Sequence, residues 1–514
     1  MNRFKPVASF LIEPRHWTAG GLLSVLTLLS ACAVGPKYSK PVMQVPTAFK
    51  ETAPSSDGPN WKAAEPGEQV LRGKWWELFN DSRLNMLEDQ INISNQNLKA
   101  AEAQFRQARA LVRQNRAGYT PAITTSPSLT RTHASVNRSF RPSTLSNTYT
   151  DYVLPVDLSY EVDTWGRIRH SVEASVANAQ ASAADIETVR LSAHAELAVD
   201  YSALQALDAE KELLNSTVTD YQKALELTTN RYNAGVASKA DVAQAETQLE
   251  TARAQAIDTE VERAQLEHAI ALLIGQPAST FSVPRMPLTV APPAIPVGLP
   301  SQLLERRPDI ASSERRVAVA NAQIGIARTA YFPVLSLTAS AGFEATRLAD
   351  WFSWPSHFWS IGPELVQTLL DGGRRHALSD QAQAAYDATV AAYRESALTA
   401  FQEVEDNLAA LRLLAEEARV QEAAVRAAQQ SLDIALNQYK GGVANYLQVI
   451  SAQNAALMNQ RSALDVLQRR MTSSVMLIKA LGGGWDSSNL PSNQDLLSSN
   501  RHARPMDELR TASQ

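Results

Sequence analysis

Eight histidines are the first candidates for chemistry in this 514-residue chain, and they are scattered. A metal site needs ligands the fold can gather, and a zinc protease needs two histidines four apart on one helix. No such spacing occurs. Gly482-Gly483-Gly484 is followed by Trp485, not by the Lys-Ser/Thr pair that holds a phosphate. No serine stands in a Gly-x-Ser-x-Gly elbow. Glu416-Glu417 could work as acid and base, but neighbouring carboxylates in a long polar stretch read better as a solvated helix face. The sequence thus offers no catalytic residue, no metal-ligand set and no cofactor site. One thiol remains. Cys32 is the only cysteine, which rules out an internal disulfide and a cysteine metal cage.

That thiol stands in a suggestive place. Arg3 and Lys5 precede a short apolar run, Leu22 to Leu29. The run is too short to span a membrane and suits the core of a leader. Leu29-Ser30-Ala31-Cys32 resembles the bacterial lipobox, where the leader is cut before cysteine and the thiol is acylated. The expectation is removal of residues 1–31 and lipidation of Cys32, with a plain secretory leader as the alternative. Ala33 after the cysteine, in place of Asp, fits the sorting of such lipoproteins to the outer membrane. Beyond residue 32 no apolar stretch is long enough for a spanning helix, so strands must make any membrane passage. Net charge is −5 with both signs interspersed, and no basic patch suggests nucleic acid.

The elements that would carry these residues come in two copies. Arg231-Tyr232-Asn233-Ala234-Gly235-Val236-Ala237 returns 207 residues later as Gln438-Tyr439-Lys440-Gly441-Gly442-Val443-Ala444. Arg116, Tyr119 and Pro121 match Arg328, Tyr331 and Pro333, and Gly166-Arg167 matches Gly373-Arg374. So long a period is a duplicated half, not a solenoid, whose units run about 20–50 residues. From Ile168 to Asn230 there is no proline or glycine, and apolar or small residues recur in 4-3 spacing. That predicts a coiled-coil helix about 95 Å long. Ala237–Ile274 would return antiparallel, and Arg374–Asn437 with Val443–Leu481 repeat the pair. Glycines at 235 and at 441–442 would make the turns.

Four strand-like runs lie between the helices: Ala122–Arg131, Tyr152–Asp163, Phe332–Phe343 and Phe358–Leu369. In the second, Tyr152, Leu154, Val156, Leu158, Tyr160 and Val162 alternate with polar residues that include Asp157, Glu161 and Asp163. Such a strand has an apolar and an acidic face. The apolar face meets a second sheet in a sandwich, or lipid in a membrane barrel. Trp351, Phe352, Trp354, Phe358 and Trp359 suit a membrane interface, an aromatic mini-core under a loop being the alternative. Four strands cannot close a membrane barrel, which needs about 8, so several chains must pool theirs.

Together these features resemble the TolC-type outer-membrane efflux proteins, in the lipidated branch that serves resistance-nodulation-division (RND) pumps. The likeness rests on Cys32-Ala33-Val34-Gly35-Pro36-Lys37-Tyr38, Trp75-Trp76-Glu77-Leu78-Phe79, Glu161 to Arg167, Arg306-Arg307-Pro308-Asp309-Ile310, Gly442 to Leu447 and Leu481 to Trp485. It implies a mainly α chain with a membrane β part, and a homotrimer. Its 12-stranded β-barrel would be continued by a long α-helical barrel, with two structural repeats per chain. The divisions that follow are a leader at 1–31, an N-terminal lipid anchor and extended segment at 32–80, a first repeat at 81–275, a Pro-rich belt linker at 276–308, a second repeat at 309–484 and a polar tail at 485–514. Asp486 to Gln514 reads as partly disordered.

The resemblance also implies a function, a passive outer-membrane exit duct. Its partners would be a periplasmic adaptor, an inner-membrane RND-type pump and outer-membrane lipid. A type I protein-secretion duct and a coiled-coil structural lipoprotein are the alternatives. Gly235, Val236, Ala237, Gly442, Val443 and Ala444 would form the adaptor-contacting hairpin tips. Leu447 and Ser451, four apart on one helix face, would form the periplasmic gate. Relatives often carry Asp at the position of Ser451 and Arg at that of Gln438. Both are neutral here, so closure would fall to Leu447 with hydrogen bonds from Gln438 and Tyr439.

Overall fold

The computed structural model describes residues 34–52, 73–135, 137, 147–295 and 300–498. Cys32 lies outside the described residues. The helices are α1 (Ser82–Ser94), α2 (Gln96–Arg116), α3 (Arg167–Asn233), α4 (Lys239–Leu273), α5 (Pro300–Arg306), α6 (Pro308–Thr329), α7 (Arg374–Lys440), α8 (Tyr446–Ala480) and α9 (Asn493–Leu497). The strands are β1 (Ala122–Thr125), β2 (Ser128–His133), β3 (Thr148–Val162), β4 (Val334–Ala345) and β5 (His357–Val366). Among the described residues no helix is long and apolar enough to cross a membrane.

The duplication is exact in length where helices are long. Helices α3 and α7 each have 67 residues, and α4 and α8 each have 35. At 1.5 Å per residue α3 and α7 run about 100 Å. Each starts on a carboxylate. Asp163 accepts from the N–H groups of Ile168 and Arg169, and Asp371 accepts from those of Gly373 and Arg375. A carboxylate there satisfies donors that the helix itself leaves open.

The shorter helices stack end to end beside the long ones. The Asn95 side chain donates to the Leu273 carbonyl, and Arg307 Nη1 donates to the Ala480 carbonyl. So α2 continues the line of α4, and α6 that of α8. Gly275 and Gly482, 207 residues apart, permit this close meeting. A Cβ on either would strike a backbone carbonyl, that of Ser94 or of Arg306. Each chain thus supplies four helical lines. In the half next to the sheet the order is α2-α3-α6-α7; in the far half it is α4-α3-α8-α7.

All five strands form one antiparallel sheet, β1 and β2 both pairing with β3, then β4, then β5. The sequence predicts one strand over Ala122–Arg131, where the structure has two. Ser126-Pro127 separates them, because proline has no N–H for the ladder. The last strand stops at Val366 and not at Leu369, and β3 is longer than its prediction.

Of the polar tail, expected to be partly disordered, the residues through Ser498 are docked, and 499–514 lie outside the described residues. Leu496 is buried with Leu98, Phe105 and Ile186, and Gln180 donates to the Pro491 carbonyl at 3.1 Å. Three leucines, at 490, 496 and 497, do this inside a composition that reads as disordered. The Pro-rich linker holds α5, and its Leu288 and Val283 are buried against the long helices.

Candidate functional site

The sheet has two chemically opposite faces. Register puts Ile123, Leu129, Leu154, Val156, Leu158, Tyr160, Leu335, Leu337, Ile361 and Leu365 on one face. None of them joins a buried core, and Ile361 is 76% and Ile123 68% exposed in the single chain. This speaks against the sandwich alternative, since among the described residues no second sheet covers that face. The other face carries Asp151, Asp157, Glu161, Glu344 and Glu364 among serines and threonines. Among the described residues, only Glu161 of these is in an ion pair, a bidentate one with Arg167 at 2.6 and 2.7 Å.

The helical wall is also two-faced. The N-terminal segment and the tail cover one side. The Val34 N–H donates to the Trp165 carbonyl, His170 Nε2 contacts the Val34 carbonyl, Asn321 donates to the Pro36 carbonyl, and Gln180 holds the tail. Asn178, Ser182 and Asp185 lie on the opposite side of α3 from Gln180, about 100° per residue apart along the helix. With Gln104, Gln107 and Gln114 they line an uncovered groove of about 470 Å³. That surface is polar and mostly uncharged.

The two hairpin tips have one geometry. Gly235 and Gly442 both sit at φ +76°. The Val236 N–H donates to the Arg231 carbonyl and the Gly235 N–H to Tyr232; Val443 and Gly442 do the same to Gln438 and Tyr439. This is the Schellman ending, which needs a left-handed residue and so favours glycine. Ser238 and Asn445 then cap the returning helices. Val236 is 65% and Val443 84% exposed, while Ala237 and Ala444 are half-buried in both copies.

Of the gate residues, Leu447 and Ser451 share an exposed face, and the Ser451 hydroxyl is satisfied by the Leu447 carbonyl. The Gln438 side chain is exposed. Tyr439 is elsewhere. It is buried against Tyr446, with ring centres 5.4 Å apart, and its hydroxyl lies 3.3 Å from that of Thr228 in α3. Burial, with Tyr439 beside it, holds the Tyr446 hydroxyl above its ordinary pKa.

Sequence reasoning missed Arg231. Its guanidinium lies 4.6 Å from the centre of the Tyr439 ring, and Nη1 donates to the Tyr439 carbonyl at 2.8 Å. A cation thus ends α7, where the helix dipole favours it, and ties one hairpin tip to the other. The repeat alignment held the signal, since Arg231 is the first-half counterpart of Gln438. A second missed cluster lies where α1 meets α3. His194 Nδ1 is 2.6 Å from Glu88 Oε2, and the imidazole stacks on Trp76 at 4.4 Å. Burial pushes the Glu88 carboxyl well above its usual range.

Comparison with known proteins places these features. The sequence model of the family described as outer membrane efflux protein matches residues 87–276 and 299–483. The chain is 31% identical over 474 residues to outer membrane protein OprJ of Pseudomonas aeruginosa, covering 90% of this chain and 95% of that one. It is 32% identical to the solvent efflux pump outer membrane protein SrpC of Pseudomonas putida, covering 90% and 97%. The solved outer-membrane channel OprN superposes with a TM-score of 0.79 at 28% identity, covering 88% of this chain and all of the other.

Proposed function

Because this chain belongs to the outer membrane efflux protein family, we propose that it acts as the outer-membrane exit duct of a tripartite pump. It would receive cargo from an inner-membrane RND-type pump through a periplasmic adaptor. The observation that carries this is a sheet with a bare apolar face and a bare acidic face, continued by helices with one covered and one uncovered side. The apolar face meets lipid, and the acidic face and amide-lined groove bound a water-filled passage. The pump reading gains over protein secretion because SrpC is named as part of a solvent efflux pump.

Every layer of the chain ends in two open edges: β1/β2 and β5 in the sheet, α2 and α7 beside it, α4 and α7 towards the tips. Such head-to-tail surfaces close into a ring of copies. In lipid an open strand edge costs several kcal/mol per unpaired backbone group, so a single copy should not persist there. With β1 and β2 counted as one interrupted edge strand beside β3, three copies supply 12 strands and 12 helical lines, which is our reading of the assembly. In it, residues 81–275 and 309–484 are the two repeats.

Cys32 is assigned as a lipid anchor on reach. Val34 is fixed beside Trp165, three residues past the end of β3. Val34 lies at the helix-side rim of the sheet, where the inner leaflet would lie, and acyl chains on a cysteine two residues upstream would anchor the protein there. Mass spectrometry of the mature protein should find its N-terminus at an acylated Cys32. An unmodified cysteine or cleavage elsewhere removes the anchor.

The tips test the partner assignment. Val236→Asp combined with Val443→Asp should leave the assembly intact and the channel conducting, because neither side chain supports the turn. Export in cells that also make the adaptor and pump should fall. Full export with the adaptor still bound would take the contact away from these residues.

A further inference from the structure

The end of the sheet remote from the helices carries a feature that conduction does not use. The β4–β5 loop folds onto the apolar face. Trp351 lies 5.6 Å from Tyr152 and stacks on Phe352 at 4.9 Å; Phe352 meets Phe343 edge-on at 5.9 Å, and the Trp351 indole N–H donates to the Phe343 carbonyl. Tyr152 and Phe343 share the lipid-side parity of Leu154 and Ala345. The aromatic cluster is thus a patch on the outside of the sheet, not a lid across its mouth.

Two arginines stand just beyond it. Arg131 pairs across β2–β3 with Thr150, two residues from Tyr152, and so shares that face. Arg347 follows Ala345 by two residues with an extended backbone, φ −128° and ψ 137°. β4 ends at Ala345 and the chain bends at 346–347, so Arg347 stands just past the strand end, at the loop end of the sheet. Arg131 and Arg347 thus belong to the two segments that flank β3, one within β2 and one just past β4. Both side chains are exposed, and neither has an ion pair among the described residues. The arginines that follow β3 and β5 at the helix end differ, since Arg167 is held by Glu161 and Arg375 by Asp371.

We infer that Arg131, Arg347 and the Tyr152–Phe343–Trp351–Phe352 patch form a binding surface for an outer-leaflet lipid bearing two phosphates, of the lipid A type. This rests on the exit-duct reading, which puts the loop end of the sheet in the outer leaflet. Charge complementarity favours this occupant. Guanidinium groups pair with phosphate oxygens through two parallel hydrogen bonds, and the aromatic patch below meets the acyl chains. Two separate guanidinium groups suit two anionic groups on one headgroup better than a single phosphodiester.

The test uses the full chain in lipid nanodiscs, with native mass spectrometry of retained lipid. Bis-phosphorylated lipid A, monophosphorylated lipid A and phosphatidylglycerol compete in equal amounts. The expected result is retention of the bis-phosphorylated form over the monophosphorylated one by about tenfold, as the loss of one charge-assisted contact implies. The Arg131→Gln/Arg347→Gln protein should lose that preference, and the Arg131→Lys/Arg347→Lys protein should keep part of it. Equal retention of all three lipids, or an unchanged preference in the Gln variant, would overturn the inference. Planar-bilayer conductance is recorded in parallel. Conducting protein without lipid preference sinks this inference alone, whereas protein that never conducts sinks the exit-duct reading beneath it.

Discussion

Leu158→Arg should abolish assembly in the membrane, whereas Ser159→Arg, one residue on, should leave the protein assembled and conducting. The two residues are neighbours in β3 on opposite faces, Leu158 in a row with Ile123 and Ala339, Ser159 in a row with Ala122 and Thr338. A charge near the middle of the lipid face costs about 2–4 kcal/mol per copy, and in the proposed trimer three copies would carry it. In the water-filled passage an arginine beside Asp157 finds a carboxylate and loses little solvation. The measurement is the yield of heat-resistant oligomer from outer membranes, with planar-bilayer recording of the purified protein. Normal assembly with Leu158→Arg would mean that this face does not meet lipid.

Arg231→Gln and Leu447→Ala should each open the periplasmic tip, by different routes. The sequence expectation of a wholly neutral latch changes once Arg231 is placed, since it grips the Tyr439 ring and carbonyl from the other hairpin. Hydrogen bonds from a charged donor are worth about 1.5–3 kcal/mol, so losing them should shift the closed-to-open ratio by about 10- to 100-fold. Leu447→Ala removes the exposed side chain itself, 59% accessible in the single chain, and should widen the passage. Single-channel conductance reads both. Arg231 binds carbonyls and a ring, not a carboxylate, so closure should be less sensitive to salt than an ion-paired latch. Ser451→Asp should add cation selectivity and block by divalent ions. Wild-type conductance in both Arg231→Gln and Leu447→Ala would move the constriction away from the tip.

Most of the architecture was legible because duplication and periodicity are local properties. The absence of proline and glycine after Ile168 predicted a helix of nearly the observed length. Alternation from Tyr152 to Val162 divided the faces of β3 before its partners were known. Gly235 and Gly442 marked the turns, since the left-handed residue that ends a helix there is sterically cheap only for glycine.

What the sequence could not decide were meetings between segments remote along the chain. Tyr439 looked like a gate residue with Leu447, yet it closes α7 on the other side of the tip turn, where it is buried against Tyr446 and its hydroxyl meets Thr228, more than 200 residues earlier. Arg231 stood in the sequence only as the first residue of the repeated tip motif, and its neighbour proved to be the end of α7. Leu496 sat in a polar tail, and only the groove between α2 and α3 gave it a place to be buried. Glu88 and His194, 106 residues apart, gave no spacing signal. Periodicity reports which side of an element is apolar. Which partner covers that side, and which polar groups meet there, depends on distances that only the folded chain sets.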